Sequence, residues 1–82
     1  MDLVLLTETI VKKIVSDPES VSVKEFEADE ENTILIEVMI SSEDLGKVIG
    51  KEGRIINAIR TIVQASSYIY DNKKIKINVD SY

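Results

Sequence analysis

The sequence contains no cysteine and no histidine, and its 82 residues include only one proline and three glycines. Without cysteine the chain can form no disulfide and has no thiolate chemistry, which fits a reducing compartment. Without histidine it lacks the most common general base and the most common metal ligand. A hydrolase would have to use carboxylates alone, and Glu25, Glu37 and Glu43 show no spacing that would pair them. These absences argue against an enzyme and against a metal site.

Long hydrophobic runs are also missing. The longest uninterrupted run of apolar side chains is four residues, Leu3 to Leu6, whereas a transmembrane helix needs about 20. No basic stretch precedes an apolar signal core. We therefore expect no membrane segment and a cytoplasmic location. The length and the 44% hydrophobic content predict one globular domain over residues 1–82.

Charge is distributed unevenly along the chain. The net charge is −5, but residues 1–45 hold twelve acids and three bases, whereas residues 46–82 hold three acids and seven bases. All three glycines lie in the basic half. Acidic residues keep a small domain soluble, and the basic half indicates contact with an anionic partner.

Hydrophobic periodicity predicts the element order α-β-β-α-α-β. The first helix covers residues 2–15, with Asp2 as its N-cap. Two alternating strands, 21–27 and 33–40, flank the polar turn 29–32 and should form an antiparallel hairpin. The remaining predicted elements are a short helix from Ser41 to about Ile49, a longer helix from about Gly53 to Ala65, a loop over 66–73, a strand over 75–79 and a tail over 80–82.

The connections between these elements predict the architecture. The third strand can lie parallel to the second through a right-handed crossover, which places both intervening helices on one face of the sheet. The first helix must cover the same face, which gives a two-layer α+β fold with a three-stranded mixed sheet. At about 100° per residue, the apolar residues of the longer helix, from Ile55 to Ala65, span half of its circumference. We expect all of them to face the core, and Arg54, Asn57 and Arg60 to point outward.

The glycines are concentrated in residues 46–56, together with Lys47, Lys51 and Arg54. Glycine permits positive φ and a close approach to bare backbone, and the N-terminus of a helix attracts anions. The segment is not a P-loop, which needs four residues between its glycines. It is not a dinucleotide fingerprint, which would need glycine at Val48. A membrane Gly-xxx-Gly motif would need an apolar 20-residue stretch. Gly46 is predicted to be a packing glycine, where two helices approach closely.

The remaining pattern is Val48-Ile49-Gly50-Lys51-Glu52-Gly53-Arg54-Ile55-Ile56. It resembles the V-I-G-x-x-G-x-x-I signature of the KH domain, and the predicted element order resembles the type II arrangement of that domain. The stretches Asp17-Pro18-Glu19-Ser20-Val21 and Asp44-Leu45-Gly46-Lys47 extend the likeness over nearly the whole chain. The sequence resembles the small bacterial single-KH proteins of the KhpA (YlqC-like) family.

The resemblance implies a non-enzymatic protein that binds single-stranded RNA. In KH domains the Gly-x-x-Gly loop clamps the backbone of about four nucleotides, and residues 50–53 form this glycine loop here. Glu52 puts a carboxylate into the loop, so we expect weak binding with little sequence preference. No cofactor, metal or small-molecule substrate is expected. The implied RNA-binding residues are Lys47, Val48, Ile49, Gly50, Lys51, Glu52, Gly53, Arg54 and Ile56.

The family resemblance also implies an RNA chaperone or post-transcriptional regulator linked to cell envelope and cell-length control. Its implied partners are a second copy of the chain, a larger KH-containing protein, or both. A protein-interaction adaptor that does not bind RNA is the alternative. Arg60 stays open between a solvated position and a contact with RNA or a partner. Tyr68 and Tyr70 stay open between base stacking and a half-buried position in the core.

Overall fold

The computed structural model describes all residues, 1–82. The main elements follow the predicted order and are α1 Leu3–Ile14, β1 Ser22–Glu27, β2 Thr33–Ile40, α2 Leu45–Ile49, α3 Arg54–Tyr70 and β3 Lys74–Ser81. Short 3₁₀ turns lie at Pro18–Ser20, Ser42–Asp44 and Lys51–Gly53. The predicted α+β class and element order are therefore confirmed.

The three strands form one mixed sheet in the order β1-β2-β3. β1 and β2 pair antiparallel, with Val23 opposite Val38, and β3 lies parallel to β2, with Ile77 opposite Ile36. Alternation along the strands sends these four side chains to one face of the sheet. That face packs against the helices, as the crossover connection predicted, and the opposite face carries no helix.

The core lies between the sheet and the helices and contains eleven buried hydrophobic residues. α1 contributes Leu3 and Val11, and α2 contributes Val48. The remaining members come from α3 and the sheet, and they are Val23, Ile36, Val38, Ile40, Ile56, Ile59, Val63 and Ile77. None of the helices has the length and hydropathy that crossing a bilayer requires.

The predicted end of α3 at residue 65 was wrong, because the helix continues to Tyr70. The fully buried Ser67 explains the extension. Its hydroxyl donates to the Lys73 carbonyl at 2.6 Å, and its own carbonyl accepts from the amides of Asp71 and Asn72 at 2.7 and 2.6 Å. Serine disfavours helix interiors because it competes for backbone groups, but here every such group of Ser67 has a partner inside the fold.

The predicted tail was also wrong for Asp80 and Ser81, which belong to β3. The Tyr82 amide extends the ladder by donating to the Ile40 carbonyl at 3.1 Å. Gly46 is not a packing glycine, because a Cβ atom built on it would meet no atom within 4 Å.

The expectation that all apolar residues of the predicted helix, from Ile55 to Ala65, face the core was wrong in part. Its buried residues are Ile56, Ile59, Val63 and Ser67. Ile62 is 49% exposed and Ile69 73% exposed. Only the side of α3 that faces the sheet and α1 is buried. This side is narrower than the apolar half of the helix that the sequence predicts. The exposed apolar residues, called the α3 stripe below, are Ile55, Ala58, Ile62, Ala65 and Ile69.

Candidate functional site

The glycine loop connects α2 to α3 and has an unusual backbone. Gly50 has φ 75° and ψ 174°, Glu52 has φ 57° and ψ 23°, and Gly53 has φ 76° and ψ 14°. The Gly53 amide donates to the Gly50 carbonyl at 3.2 Å and closes the turn. Three of the four loop residues thus have the positive φ that side chains disfavour.

The two glycines are required for different reasons. A Cβ atom on Gly50 would lie 2.7 Å from Cγ1 of Ile55, which is too close for any side chain. A Cβ atom on Gly53 would lie 3.7 Å from Nδ2 of Asn57, an ordinary contact. Gly50 is therefore fixed by both packing and backbone conformation, whereas Gly53 is fixed by backbone conformation alone.

The charged side chains of the loop are exposed. None of the ion pairs of the protein involves Lys51. Nη2 of Arg54 lies 3.6 Å from Oε2 of Glu52, with both side chains largely in solvent. Such a surface pair is weak, but it places the Glu52 carboxylate beside Arg54, which with Lys51 is one of the two cations at this end of α3.

The N-terminus of α3 adds donors to the loop. The N-cap residue, Gly53, has no side chain that could accept from the first amides of the helix. The first four amides of an α-helix have no acceptor within the helix, and the helix dipole is positive at this end. The Gly53 and Arg54 amides donate to the Gly50 and Lys51 carbonyls within the loop. Lys51, Arg54 and the remaining first-turn amides together make an exposed surface that suits an anion such as a phosphate group.

Lys47 does not join this surface. Its Nζ donates to Oγ of Ser16 and lies 3.6 Å from Oδ1 of Asp44. The side chain is thus directed toward the end of α1, although about half of it remains exposed. The structure brings together the loop residues 50–53 with Arg54, and it separates Lys47 from them.

Asp44 is the buried charged residue that explains the position of Lys47. The residue is 1% exposed, and its carboxylate accepts from the amides of Ser16 at 2.9 Å and Asp17 at 3.1 Å. The hydrogen bond from Ser16 is the main reason that the pKa of Asp44 is lowered, against the opposing effect of burial. The sequence indicated Asp44 near a helix start and within the family resemblance, but nothing local identified its hydrogen-bond partners.

The predicted apolar site residues lie inside the fold. Val48 is fully buried and Ile56 is 6% exposed. Ile49 is partly buried and packs against the core. These side chains hold α2 and α3 together below the glycine loop, so Val48 and Ile56 offer almost no surface to a ligand.

A groove of about 440 Å³ runs between α3 and β3. Nε and Nη2 of Arg60 donate to the Ile77 carbonyl at 3.2 and 2.9 Å. Gln64 accepts from the Ile75 amide at 2.8 Å and donates to the Lys73 carbonyl at 3.0 Å. These two side chains cover the free edge of β3, a role that the sequence did not indicate for Gln64.

Tyr68 lines this groove and is 58% exposed, and Tyr70 is 64% exposed. Neither tyrosine is a core residue, so the half-buried alternative was wrong for both. Lys74 and Lys76 pair with Glu30 of the β1–β2 turn. The hydrogen bond from Lys76, followed by the charges of Lys76 and Lys74, lowers the pKa of Glu30. No three His, Cys, Asp or Glu side chains lie close enough together to hold a metal ion.

Known proteins are similar to this chain in sequence. A family model described as the KH domain of KhpA and KhpB matches residues 5–80. An RNA-binding protein KhpA from Clostridium perfringens is 47% identical over 74 residues, which cover 90% of this chain and 95% of that protein. The protein of the same name from Thermotoga maritima is 42% identical over 90% of this chain and 93% of its own length.

Two solved structures of Era show the same fold at 20% sequence identity. The Aquifex aeolicus protein bound to GDP and AlF4⁻ has a TM-score of 0.62, and Era in complex with MgGDPNP and part of 16S ribosomal RNA has a TM-score of 0.63. Each match covers 99% of this chain and 31% of the Era chain. The family match over residues 5–80 and the identities over nine-tenths of the sequence show that the chain belongs to the KhpA/KhpB family of KH-domain proteins.

Proposed function

We propose that this protein is a non-enzymatic, single-stranded RNA-binding protein that holds about four nucleotides with its glycine loop. The observation that carries the proposal is the pair of positive-φ glycines, Gly50 and Gly53, around the exposed Lys51 at the uncapped N-terminus of a 17-residue helix. The relatives named RNA-binding protein KhpA support the choice of RNA as the anionic ligand.

The contacts follow from the chemistry of a phosphodiester strand. Amides in the first turn of α3 after Arg54 donate to phosphate oxygens, because no side chain blocks their approach, whereas the Gly53 and Arg54 amides already donate to the Gly50 and Lys51 carbonyls. Lys51 and Arg54 add charge-assisted hydrogen bonds. Val48, Ile49 and Ile56 act mainly by holding the loop in shape. Lys47 contributes through its exposed charge, from its position beside Asp44.

Binding by so few cations should be weak and dependent on salt. Three phosphate contacts on a single strand correspond to a salt slope of about −2 on logarithmic axes. The direct test is titration of the isotope-labelled protein with a short unpaired oligoribonucleotide at low ionic strength. We expect the amide resonances of residues 50–54 to shift first. Shifts confined to other regions, or no shifts, would reject this site.

A second copy of the chain is the partner that best fits the α3 stripe. Its three isoleucines recur at seven-residue intervals and are all exposed, at 37% for Ile55, 49% for Ile62 and 73% for Ile69. A seven-residue spacing keeps residues on one face over two helical turns. The same stripe on two copies can pack together, because a two-fold interface uses the same surface patch of both subunits.

The α3 stripe also supports the alternative function, a protein-interaction adaptor that pairs through this face without RNA. The carboxylate of Glu52 in the glycine loop also supports the adaptor function, because a carboxylate repels phosphate groups. Crosslinking of RNA to the protein in living cells separates the two functions, because only the RNA-binding protein yields covalent RNA. A larger KH-containing protein with a matching helix is the further partner that we propose for the same face.

We further propose the cellular role that the family resemblance implies. A protein that binds unpaired transcripts weakly and without sequence preference suits an RNA chaperone or a post-transcriptional regulator. We place this activity in the cytoplasm, where such transcripts are found. A link to cell envelope and cell-length control is part of the same proposal, and deletion of the gene with measurement of cell length tests it.

A further inference from the structure

The groove between α3 and β3 begins close to the glycine loop. Arg60 lines the groove and comes seven residues after Gly53, which is about 10 Å along the helix. Tyr68, which also lines the groove, lies about 12 Å farther along α3. An RNA strand longer than the four or so nucleotides that the loop clamps can therefore continue from the loop into the groove.

Charge in the groove suits such a strand. The chain has fifteen acidic residues, but none of them lies in α3, which carries two arginines. Six residues line the groove, and Arg60 is the one charged residue among them; the others are Thr61, Gln64, Ala65, Tyr68 and Ile75. The groove thus offers a cation and no anion to a chain of phosphates, whose negative charge dominates the affinity of nucleic acids for proteins.

The polar groups that could read a base in this groove are already bonded to each other. Nε and Nη2 of Arg60 donate to the Ile77 carbonyl, and its Nη1 donates to Oδ1 of Asn57 at 3.0 Å. Oε1 of Gln64 accepts from the Ile75 amide. RNA sequence is read by hydrogen bonds to the edges of unpaired bases. A base beside β3 finds these donors and acceptors occupied, so its identity has little effect on binding.

Tyr68 offers a different kind of contact in the same groove. It is 58% exposed and presents an aromatic ring without hydrogen-bond readout of a base. Stacking of a base on an aromatic side chain tolerates every sequence, because every base has a π-face. The groove therefore combines an aromatic surface that holds any base with a strand edge that is closed to base recognition.

We infer that Arg60 and Gln64, by covering the free edge of β3, make RNA binding independent of sequence, while Tyr68 stacks an unpaired base that follows the segment held by the glycine loop. This inference rests on the RNA clamp proposed above. It makes Gln64 a specificity-determining residue, because its amide group occupies backbone groups that would otherwise bond to a base. The strand is held by its phosphates at the loop and by a base face at Tyr68, and both contacts are the same for every sequence.

The stacking contact is tested with unpaired oligo-A, oligo-C and oligo-U of about eight nucleotides, twice the length that a glycine loop clamps. We expect Tyr68→Ala to lower the affinity for all three on the order of tenfold and Tyr68→Phe, which keeps the ring, to bind like the wild-type protein. Tyr70→Ala is the matched control, because Tyr70 is 64% exposed but does not line the groove. Unchanged affinity of Tyr68→Ala, or an equal loss for Tyr70→Ala, would overturn the stacking contact.

The closed edge is tested by comparing the affinities for the same three RNAs. The wild-type protein should bind them within about twofold of each other. Gln64→Ala frees the Ile75 amide and should separate them by about fivefold, the effect of one hydrogen bond. Arg60→Lys keeps the charge but not the paired bonds to the Ile77 carbonyl, and it should also create a preference. This second variant keeps the test decisive if Gln64→Ala fails to fold, which circular dichroism detects.

The outcomes separate this inference from the RNA clamp. Equal binding of the three RNAs by Gln64→Ala and by Arg60→Lys overturns the inference alone. A preference of the wild-type protein that Gln64→Ala abolishes also overturns it, because Gln64 would then read the base itself. In both cases shifts of the amide resonances of residues 50–54 still support the clamp. Failure of the wild-type protein to bind any of the three RNAs overturns the clamp as well.

Discussion

The carboxylate of Asp44 and the backbone amide of Ser16 form a buried hydrogen bond of 2.9 Å between residues 28 positions apart. The same carboxylate accepts from the Asp17 amide, so it joins the chain after α1 to the turn that precedes α2. Because α2 leads directly into the glycine loop, this contact helps to fix the position of the candidate site relative to the core.

We expect Asp44→Ala to lower the Tm by several degrees, because it leaves two backbone amides without an acceptor and removes the anion beside Lys47. Asp44→Asn, which keeps one acceptor oxygen and the same shape, should be less destabilising. Thermal unfolding followed by circular dichroism measures the difference. Equal Tm values for the alanine variant and the wild-type protein would contradict the structural role of Asp44.

The stability contributed by Asp44 should depend on pH in a defined direction. Its pKa is lowered in the folded state from an ordinary value of 3.8, so the unfolded chain takes up the proton first as the pH falls. This contribution is present above pH 3.8 and is lost as the pH falls through the folded pKa. The difference in unfolding free energy between the wild-type protein and Asp44→Asn should shrink over that range. A constant difference would show that the charge of Asp44 is not involved.

Substitutions at Gly53 offer a cleaner test of RNA binding than substitutions at Gly50. Asn and Asp tolerate the left-handed backbone at Gly53, and the site has room for a Cβ atom. We expect Gly53→Asn to retain most of the affinity and Gly53→Asp to lose on the order of tenfold, which corresponds to about 1.4 kcal/mol, because its carboxylate faces phosphate. Fluorescence anisotropy measures both variants, and circular dichroism verifies the fold. Equal affinities of the two variants would argue against phosphate contact at this position.

Gly50→Asp cannot be interpreted in the same way. Its Cβ would overlap Ile55 and would impose a strained φ at the same time. We expect this variant to disturb the start of α3, so a loss of binding would not identify a contact.

Glu52→Gln should strengthen RNA binding several-fold at low salt. The change removes a carboxylate from the proposed phosphate path and releases Arg54, whose Nη2 lies 3.6 Å away. With Arg54 free, the dependence of affinity on salt should become steeper than the slope of about −2 expected for the three contacts of the wild-type protein. Anisotropy titrations over a range of salt concentrations measure both effects. Unchanged affinity and slope would place the phosphates away from Glu52.

The strands could be predicted from the sequence because alternation fixes both the element and its buried face. β2 has the bounds that its alternating pattern predicts, 33–40, and its inward residues Ile36, Val38 and Ile40 are fully buried. The positive φ of Gly50 and Gly53 agrees with the special backbone that a Gly-x-x-Gly loop indicates, whereas Gly46 has an ordinary φ.

Other features depend on tertiary contacts that no periodic pattern in the sequence indicates, and could not be predicted. The burial of Asp44 depends on Ser16, and the last turn of α3 depends on the contact of Ser67 with Lys73. The exposure of Ile62 depends on how much of α3 the neighbouring elements cover. A helical wheel gives the direction of each side chain, but not the width of the surface that receives it.

Gln64 should stabilise the fold by satisfying the free edge of β3. Gln64→Ala removes the bonds to the Ile75 amide and the Lys73 carbonyl, and we expect a loss of about 1–2 kcal/mol in unfolding free energy. Gln64→Glu keeps the acceptor for Ile75 but loses the donor, so its loss should be smaller above pH 5 or so, where the carboxylate is ionised. Urea denaturation measures both. If the alanine variant is as stable as the wild-type protein, solvent satisfies these groups equally well.

The neighbouring isoleucines of α3 provide a matched test of core and interface. Ile59 is 2% exposed and Ile62 is 49% exposed, although both lie on the apolar arc predicted from the sequence. Ile59→Gln buries an amide among core side chains, and we expect it to unfold the protein or to cost several kcal/mol. Ile62→Gln should leave the fold of each chain intact and convert the dimer to monomers. Light scattering coupled to gel filtration measures the mass, and circular dichroism measures the fold. A folded Ile62→Gln dimer would exclude the α3 stripe as the interface, because an amide at its centre would then be tolerated without loss of association.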